Sequence, residues 1–174
     1  PMTSADDAAL LFGNGSELHR KIRRFMQINK TTPVYAIAIA EGSSPSAATG
    51  TITVATTATG PGTLRIYCED EFVDVGFTTG DTPTVIAAAA VVQINAKTHW
   101  PATAANSAGV ITLTTKQKGL RANWTRYFAR MIPFTGSGST VTPTASTLMT
   151  GGTVSDDNTA ALAVIVAQKF YYIV

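Results

Sequence analysis

Apolar positions recur at helical spacing near both ends of the chain and at alternating spacing through its middle. Ser4-Ala-Asp-Asp7 opens a short helix with a capping-box pattern that Gly13 closes, and Asn14 to Glu17 repeats the opening for a second helix. In that second helix Leu18, Ile22, Phe25 and Met26 fall at i, i+4, i+7 and i+8, the spacing of one buried stripe. Arg20, Lys21, Arg23 and Arg24 then take the wet side. After the turn Thr31-Thr-Pro33, the run Val34 to Ala40 is almost wholly apolar, as expected of a strand covered on both faces of an α/β sheet.

The middle of the chain changes period. Thr51-Ile-Thr-Val54 alternates, the turn Thr59-Gly-Pro-Gly62 follows, and Leu64 to Cys68 and Phe72 to Phe77 form a hairpin about the acidic bend Glu69-Asp70-Glu71. Gly80-Asp-Thr-Pro83 starts an Ala-rich helix that runs to Ala96, with a cap residue and a proline in its first turn. Two further strands, Ala102 to Ala105 and Val110 to Thr115, are joined by Asn106-Ser-Ala-Gly109.

Beyond that unit Arg121 to Phe134 is richer in large side chains and reads as a long strand re-entering the first domain, with Trp124 buried in it. Ser137 to Thr147 is a Ser/Thr/Gly-rich loop. Ser155-Asp-Asp-Asn158 caps a last helix carrying Leu162, Ile165, Val166 and the stem of Lys169 along one side, and Phe170 to Val174 begins another buried strand. Val34 to Ala40 and Phe170 to Val174 are expected as neighbouring strands of one sheet. A chain that stops inside a strand is expected to be an internal fragment of a longer protein.

Composition sharpens the division. Ser46 to about Gly119 is dominated by Ala, Thr, Gly and Val, whereas the flanks use a fuller alphabet. The expected fold class is α/β in its sheet domain and α+β overall, with covering helices and a small β-rich insert containing one helix. In residue terms, 1–45 plus 120–174 form a discontinuous α/β domain, and 46–119 form the insert with its helix at 83–96. Of the 174 residues 45% are hydrophobic and only 14% charged, a balance too apolar for disorder and suited to a subunit held in an assembly. A net charge of +2 argues against nucleic acid as the main partner, and the cluster His19 to Arg24 reads as the solvated face of its helix. No apolar run approaches the roughly 18 residues that cross a bilayer, so no membrane insertion is expected.

Candidate chemistry is sparse. Gly13-Asn-Gly15 precedes a helix, whose amides attract anions, but it follows a helix and lacks a P-loop lysine; a turn between helices explains it better. His19 and His99 have no carboxylate or cysteine at metal-ligand spacing and read as a surface helix residue and a loop residue beside Trp100. Glu69, Asp70, Glu71 and Asp74 lack the glycine and spacing of a calcium loop and read as a solvated edge. Ser107 and Ser155 have no base in register. Cys68, the single cysteine, alternates with Leu64 and Ile66 and reads as a small buried hydrophobe. No catalytic, cofactor-binding or metal residue is assigned, no cofactor is expected, and the chain is read as not an enzyme.

The ordered series carries a resemblance. Leu11-Phe-Gly-Asn-Gly-Ser16, the run Val34 to Ala40, the Gly-Thr-Ile-Thr-Val and Gly-Thr-Leu-Arg-Ile-Tyr strands, the Gly80 to Ala96 helix, Val110-Ile-Thr-Leu-Thr with Lys118-Gly119 and Asn123, and the closing Phe170 to Val174 are together similar to the tail sheath proteins of Mu-like contractile-tailed phages. The resemblance implies a structural subunit packed in hexameric rings around a tail tube, which contracts to drive the tube through the host envelope. Its partners would be other sheath copies, the tail tube protein and the baseplate. It would reside in the virion tail after assembly in the bacterial host cytoplasm, and this piece alone would be monomeric. The rival reading is a β-rich adhesin or carbohydrate-binding module, which the Thr-rich strands, Trp100 and Trp124 would suit.

Overall fold

In a computed structural model that describes residues 2, 4–132 and 147–167, the alternating strands of the middle region fold as their period dictates. Helices α1 (Ala5–Phe12) and α2 (Glu17–Ile28) lead into β1 (Ala47–Thr53), β2 (Gly62–Cys68) and β3 (Glu71–Phe77), then α3 (Pro83–Ala96), β4 (Ala102–Ser107) and β5 (Val110–Lys118). A 3-10 helix at Leu120–Trp124 precedes β6 (Arg126–Ile132), β7 (Thr147–Leu148) and α4 (Thr159–Ala167). Among the described residues the strands make two antiparallel sheets, ordered β1-β5-β4 and β3-β2-β6-β7, so the fold is mixed α+β.

The core lies where the alternating apolar positions of the strands and one stripe of α3 meet. Ile52, Leu64, Ile66, Val73, Val75, Ile111 and Leu113 all point into it and are buried, and Ile86, Ala87, Ala90 and Ile94 supply the helix stripe. Helix α3 begins as its sequence predicts, with Thr82 as the cap residue and Pro83 in the first turn. It also closes an edge: the Asn95 amide donates to the Ala104 carbonyl and accepts from the Ala104 N–H, each at 2.9 Å, satisfying open backbone groups of edge strand β4.

Two contacts hold the sheets in register. Gly50 of β1 lies under the Tyr127 ring of β6, where a Cβ would sit 2.3 Å from the ring. The Tyr127 hydroxyl accepts the Thr51 N–H at 3.1 Å. Near the start of β1 the register with β5 shifts between Ala47 and Thr49, and Thr115 Oγ1 accepts the Ala48 N–H at 2.9 Å that the ladder leaves over. Residues 147–153 then strap the sheets together: Thr147 and Leu148 pair with β6, Thr150 exchanges two hydrogen bonds with Thr49, and Ser46 bridges Thr153.

Three expectations need correction. Val34 to Ala40 is no sheet strand among the described residues: Val34 bridges only Met2, Ala40 bridges only Asp157, and Tyr35 is 63% exposed. The two described sheets are antiparallel and take their apolar core from their own strands and α3, and this run joins neither; its expected neighbour Phe170 to Val174 lies outside the described residues. Arg121 to Phe134 is not one strand, because Gly119 adopts a positive φ and the chain turns through the 3-10 helix, leaving Trp124 77% exposed instead of buried. Strand β6 then pairs with β2 of the middle region rather than entering a different sheet. On α4, Ala161 is buried while Leu162 and Val166 face outward, contrary to the stripe read from the sequence. The loop expected from Ser137 falls almost wholly outside the described residues, as does Lys169.

Gly50→Ala is expected to cost about 1–3 kcal/mol by forcing the sheets apart, and Tyr127→Phe about 1 kcal/mol through the lost hydrogen bond. Urea unfolding followed by far-UV circular dichroism measures both; an unchanged midpoint for Gly50→Ala would show that the sheets do not depend on this close approach.

Candidate functional site

Charged and titratable side chains gather at the junction between α2 and the β2–β3 hairpin. It begins with local geometry. Gly13 closes α1 by donating to the Ala9 carbonyl, as expected of a turn between helices, and Ser16 Oγ caps α2 by accepting the His19 N–H. Gly15 has a φ of 81° and passes so close to the Trp100 carbonyl that a Cβ would lie 2.4 Å from it. This turn seats His19 at 4% exposure, where its Nδ1 accepts the Gly15 N–H at 3.0 Å.

His19 is therefore a buried structural residue, not the surface residue its sequence position indicated. Burial holds its pKa below the ordinary 6.5, and the nearby Arg23, His99 and Lys116 act in the same direction against Asp6. An imidazole that accepts at Nδ1 must be neutral, so protonation breaks the bond that closes the turn.

The α2 arginines are not simply the wet side of the helix. Arg20 Nη1 donates to Glu69 at 2.6 Å, and Arg23 Nη1 to Glu71 at 3.1 Å, so the acidic bend between β2 and β3 receives the helix. His99 Nε2 lies 3.3 Å from the same Glu71 carboxylate, and Arg121 donates to Glu17 at the helix start at 2.7 Å. Partial burial pushes the Glu17 carboxyl up, but Lys21 and Arg121 outweigh it and hold it below 4.5. The buried side of α2 is thus His19 and Ile22 with Arg20 beside them, while Phe25 is 42% exposed, against the apolar stripe expected from Leu18 to Met26. A signal for this was present: cations of α2 and an acidic bend are complementary, but nothing in the local pattern says that two segments 48 residues apart meet.

The remaining candidates do not converge. Cys68 is fully buried and its thiol is pushed up to about 12, chiefly by burial, so it behaves as the small hydrophobe its spacing indicated. Asp74 lies further along β3 on its outward face, held by Arg65. Ser107 ends β4, and Ser155 precedes α4. Among the described residues no group of three or more His, Cys, Asp or Glu is placed to hold a metal ion, and no helix is long and apolar enough to cross a membrane. The His99–Glu71 pair has the elements of a general base, but Glu71 is already neutralised by Arg23. Chemically, the junction is an electrostatic clasp.

Because the His19 pKa is depressed in the folded chain, the unfolded chain binds more protons below pH 6.5. Stability is expected to be full above that pH and to fall as the pH drops through it, before the carboxylates with lowered pKa values begin to titrate. Urea midpoints between pH 7.5 and 5.5, values chosen to straddle about one unit on either side of an ordinary histidine, measure this. His19→Gln should flatten the dependence; a variant that keeps the full pH dependence would refute the assignment.

No family model matches the chain. It is 30% identical over 174 residues to the Mu-like prophage FluMu tail sheath protein of Haemophilus influenzae (strain ATCC 51907 / DSM 11121 / KW20 / Rd), a match that takes in 96% of this chain and 34% of the relative. The chain spans about a third of the length of that curated relative. The similarity takes in nearly all of the ordered segments that resemble the tail sheath proteins of Mu-like phages, and this chain is similar to part of a Mu-like prophage tail sheath protein.

Proposed function

We propose that the chain is part of a structural subunit of a contractile phage tail sheath, and that it catalyses nothing. The observation that carries this reading is the match to a tail sheath protein across 96% of the chain. Its partners would be other copies of the sheath subunit, together with the tail tube protein and the baseplate. The subunits would stack as hexameric rings that shorten together, with each domain staying folded while contacts between copies change. The place of action would be the virion tail, after assembly in the host cytoplasm.

The proposed division into a discontinuous unit of 1–45 plus 120–174 and an insert of 46–119 is best drawn with a later boundary. The sheet containing β2 and β3 takes β6 as its third strand and the strap 147–153 as its fastening, so the unit carried on the outer surface of the sheath would extend to Ile132 and include the strap. An outer position suits a unit whose core is complete in itself.

The carbohydrate-binding alternative gains an exposed Trp124 but loses Trp100, which is wholly buried. Two coplanar tryptophans facing solvent are therefore not available as a platform.

Electron microscopy of the complete gene product, beside sedimentation of the 174-residue chain at micromolar concentration, tests the sheath reading. Rings or tubes are expected from the former, and a monomer or weak associate from the latter. A complete product that never forms rings or tubes would remove the sheath reading, and stable tubes from the short chain would remove the expectation that assembly needs more of the protein.

A further inference from the structure

The outward face of the β3-β2-β6 sheet carries a charge and aromatic pattern that the core does not require. Tyr67 lies directly opposite Phe72 on one side and Phe128 on the other, and Arg65 lies directly opposite Asp74 and Arg130. Tyr67 and Phe128 stack with ring centroids 4.3 Å apart and planes 9° from parallel. Arg130 Cζ sits 5.4 Å over the Tyr67 ring, and Arg65 Cζ 4.2 Å over Phe72.

Two arginines facing each other across a ladder repel. Asp74 answers only one of them, taking Arg65 Nε and Nη2 at 2.6 Å each. Arg130 and Lys97 act on the same carboxylate only through space, and Lys97 Nζ donates instead to the Phe72 carbonyl. One carboxylate thus serves three cations, and among the described residues the Arg130 guanidinium has no hydrogen-bond acceptor of its own. Arg130 Cζ lies within cation–π range of Tyr67, a contact that leaves the guanidinium N–H groups unspent, and such a fork takes a carboxylate through two parallel hydrogen bonds.

We propose that this sheet face docks an acidic surface of a partner protein, with Arg130 receiving a carboxylate and the Tyr67–Phe128 stack packing beneath it. Charge complementarity selects an acidic occupant. Ring geometry selects a protein over a nucleic acid or a glycan: Tyr67 is stacked on Phe128 and lies under Arg130, and Phe72 lies under Arg65, so base or sugar stacking lacks a free aromatic platform. Exposed Arg130 and Phe72 beside half-buried Tyr67 and Phe128 are instead residue types enriched at the centres of protein interfaces.

The test uses fluorescence anisotropy at low ionic strength with a labelled oligoglutamate peptide, and an oligothymidylate of equal charge as the competing class. Native chain should bind oligoglutamate more tightly than oligothymidylate. Arg130→Gln should weaken oligoglutamate binding about tenfold, with Arg130→Lys recovering only part of it, while Arg24→Gln on α2 should change little. Far-UV circular dichroism and melting check that each variant folds, and Phe128→Ala gives a second, uncharged probe of the same face. The proposal is overturned by absent oligoglutamate binding, by tighter binding of oligothymidylate, or by equal losses in Arg24→Gln and Arg130→Gln, which would mark bulk charge alone.

Discussion

A single missing side chain sets the spacing of this fold. The two sheets present alternating apolar faces to one another, and the bulky Tyr127 can lie between them only because β1 offers Gly50 beneath its ring. That approach brings the phenolic hydroxyl onto the Thr51 N–H, so the tyrosine closes the core and satisfies a backbone donor at the edge of the β1-β5-β4 sheet. The bulge at Ala48, the strap and the α3 stripe all assume that separation.

Around this core the cohesive forces change character. The strands and α3 are held by burial of wholly apolar side chains, whereas α2 is held by Arg20 and Arg23 on the acidic bend, with Ile22 as its buried apolar anchor. Salt screens partly exposed ion pairs and does not screen apolar burial. The chain therefore has a β unit fastened by packing and an N-terminal helix fastened largely by charge, with the neutral His19 turn as the joint between them.

The sequence was most legible where local pattern and tertiary environment agree. Alternation in Thr51 to Val54, Leu64 to Cys68 and Val110 to Thr115 is itself the consequence of two-layer packing, and Thr82-Pro83 is a helix start wherever it is placed. It was least legible where burial depends on a distant partner. The apolar run from Val34 looks like a covered strand, yet among the described residues its β-bridges are those of Val34 and Ala40. His19 looks exposed beside four basic residues, yet the Gly15 turn draws it inside. Trp124 looks like core because it is large, but Asn123 next to it folds the chain into a turn by exchanging hydrogen bonds with Gly152, and the indole is left outside.

The strap also bears on how this chain can vary in length. Ile132 ends a strand in the middle of the β3-β2-β6-β7 sheet, and Thr147 pairs back onto Tyr127 of that same strand. The ends of the intervening stretch are therefore pinned by hydrogen bonds that do not involve it. The contact of Gly50 with Tyr127 and the bonds of the strap are made by residues on either side of that interval, so a change in the number of residues between 132 and 147 leaves the partners of each the same.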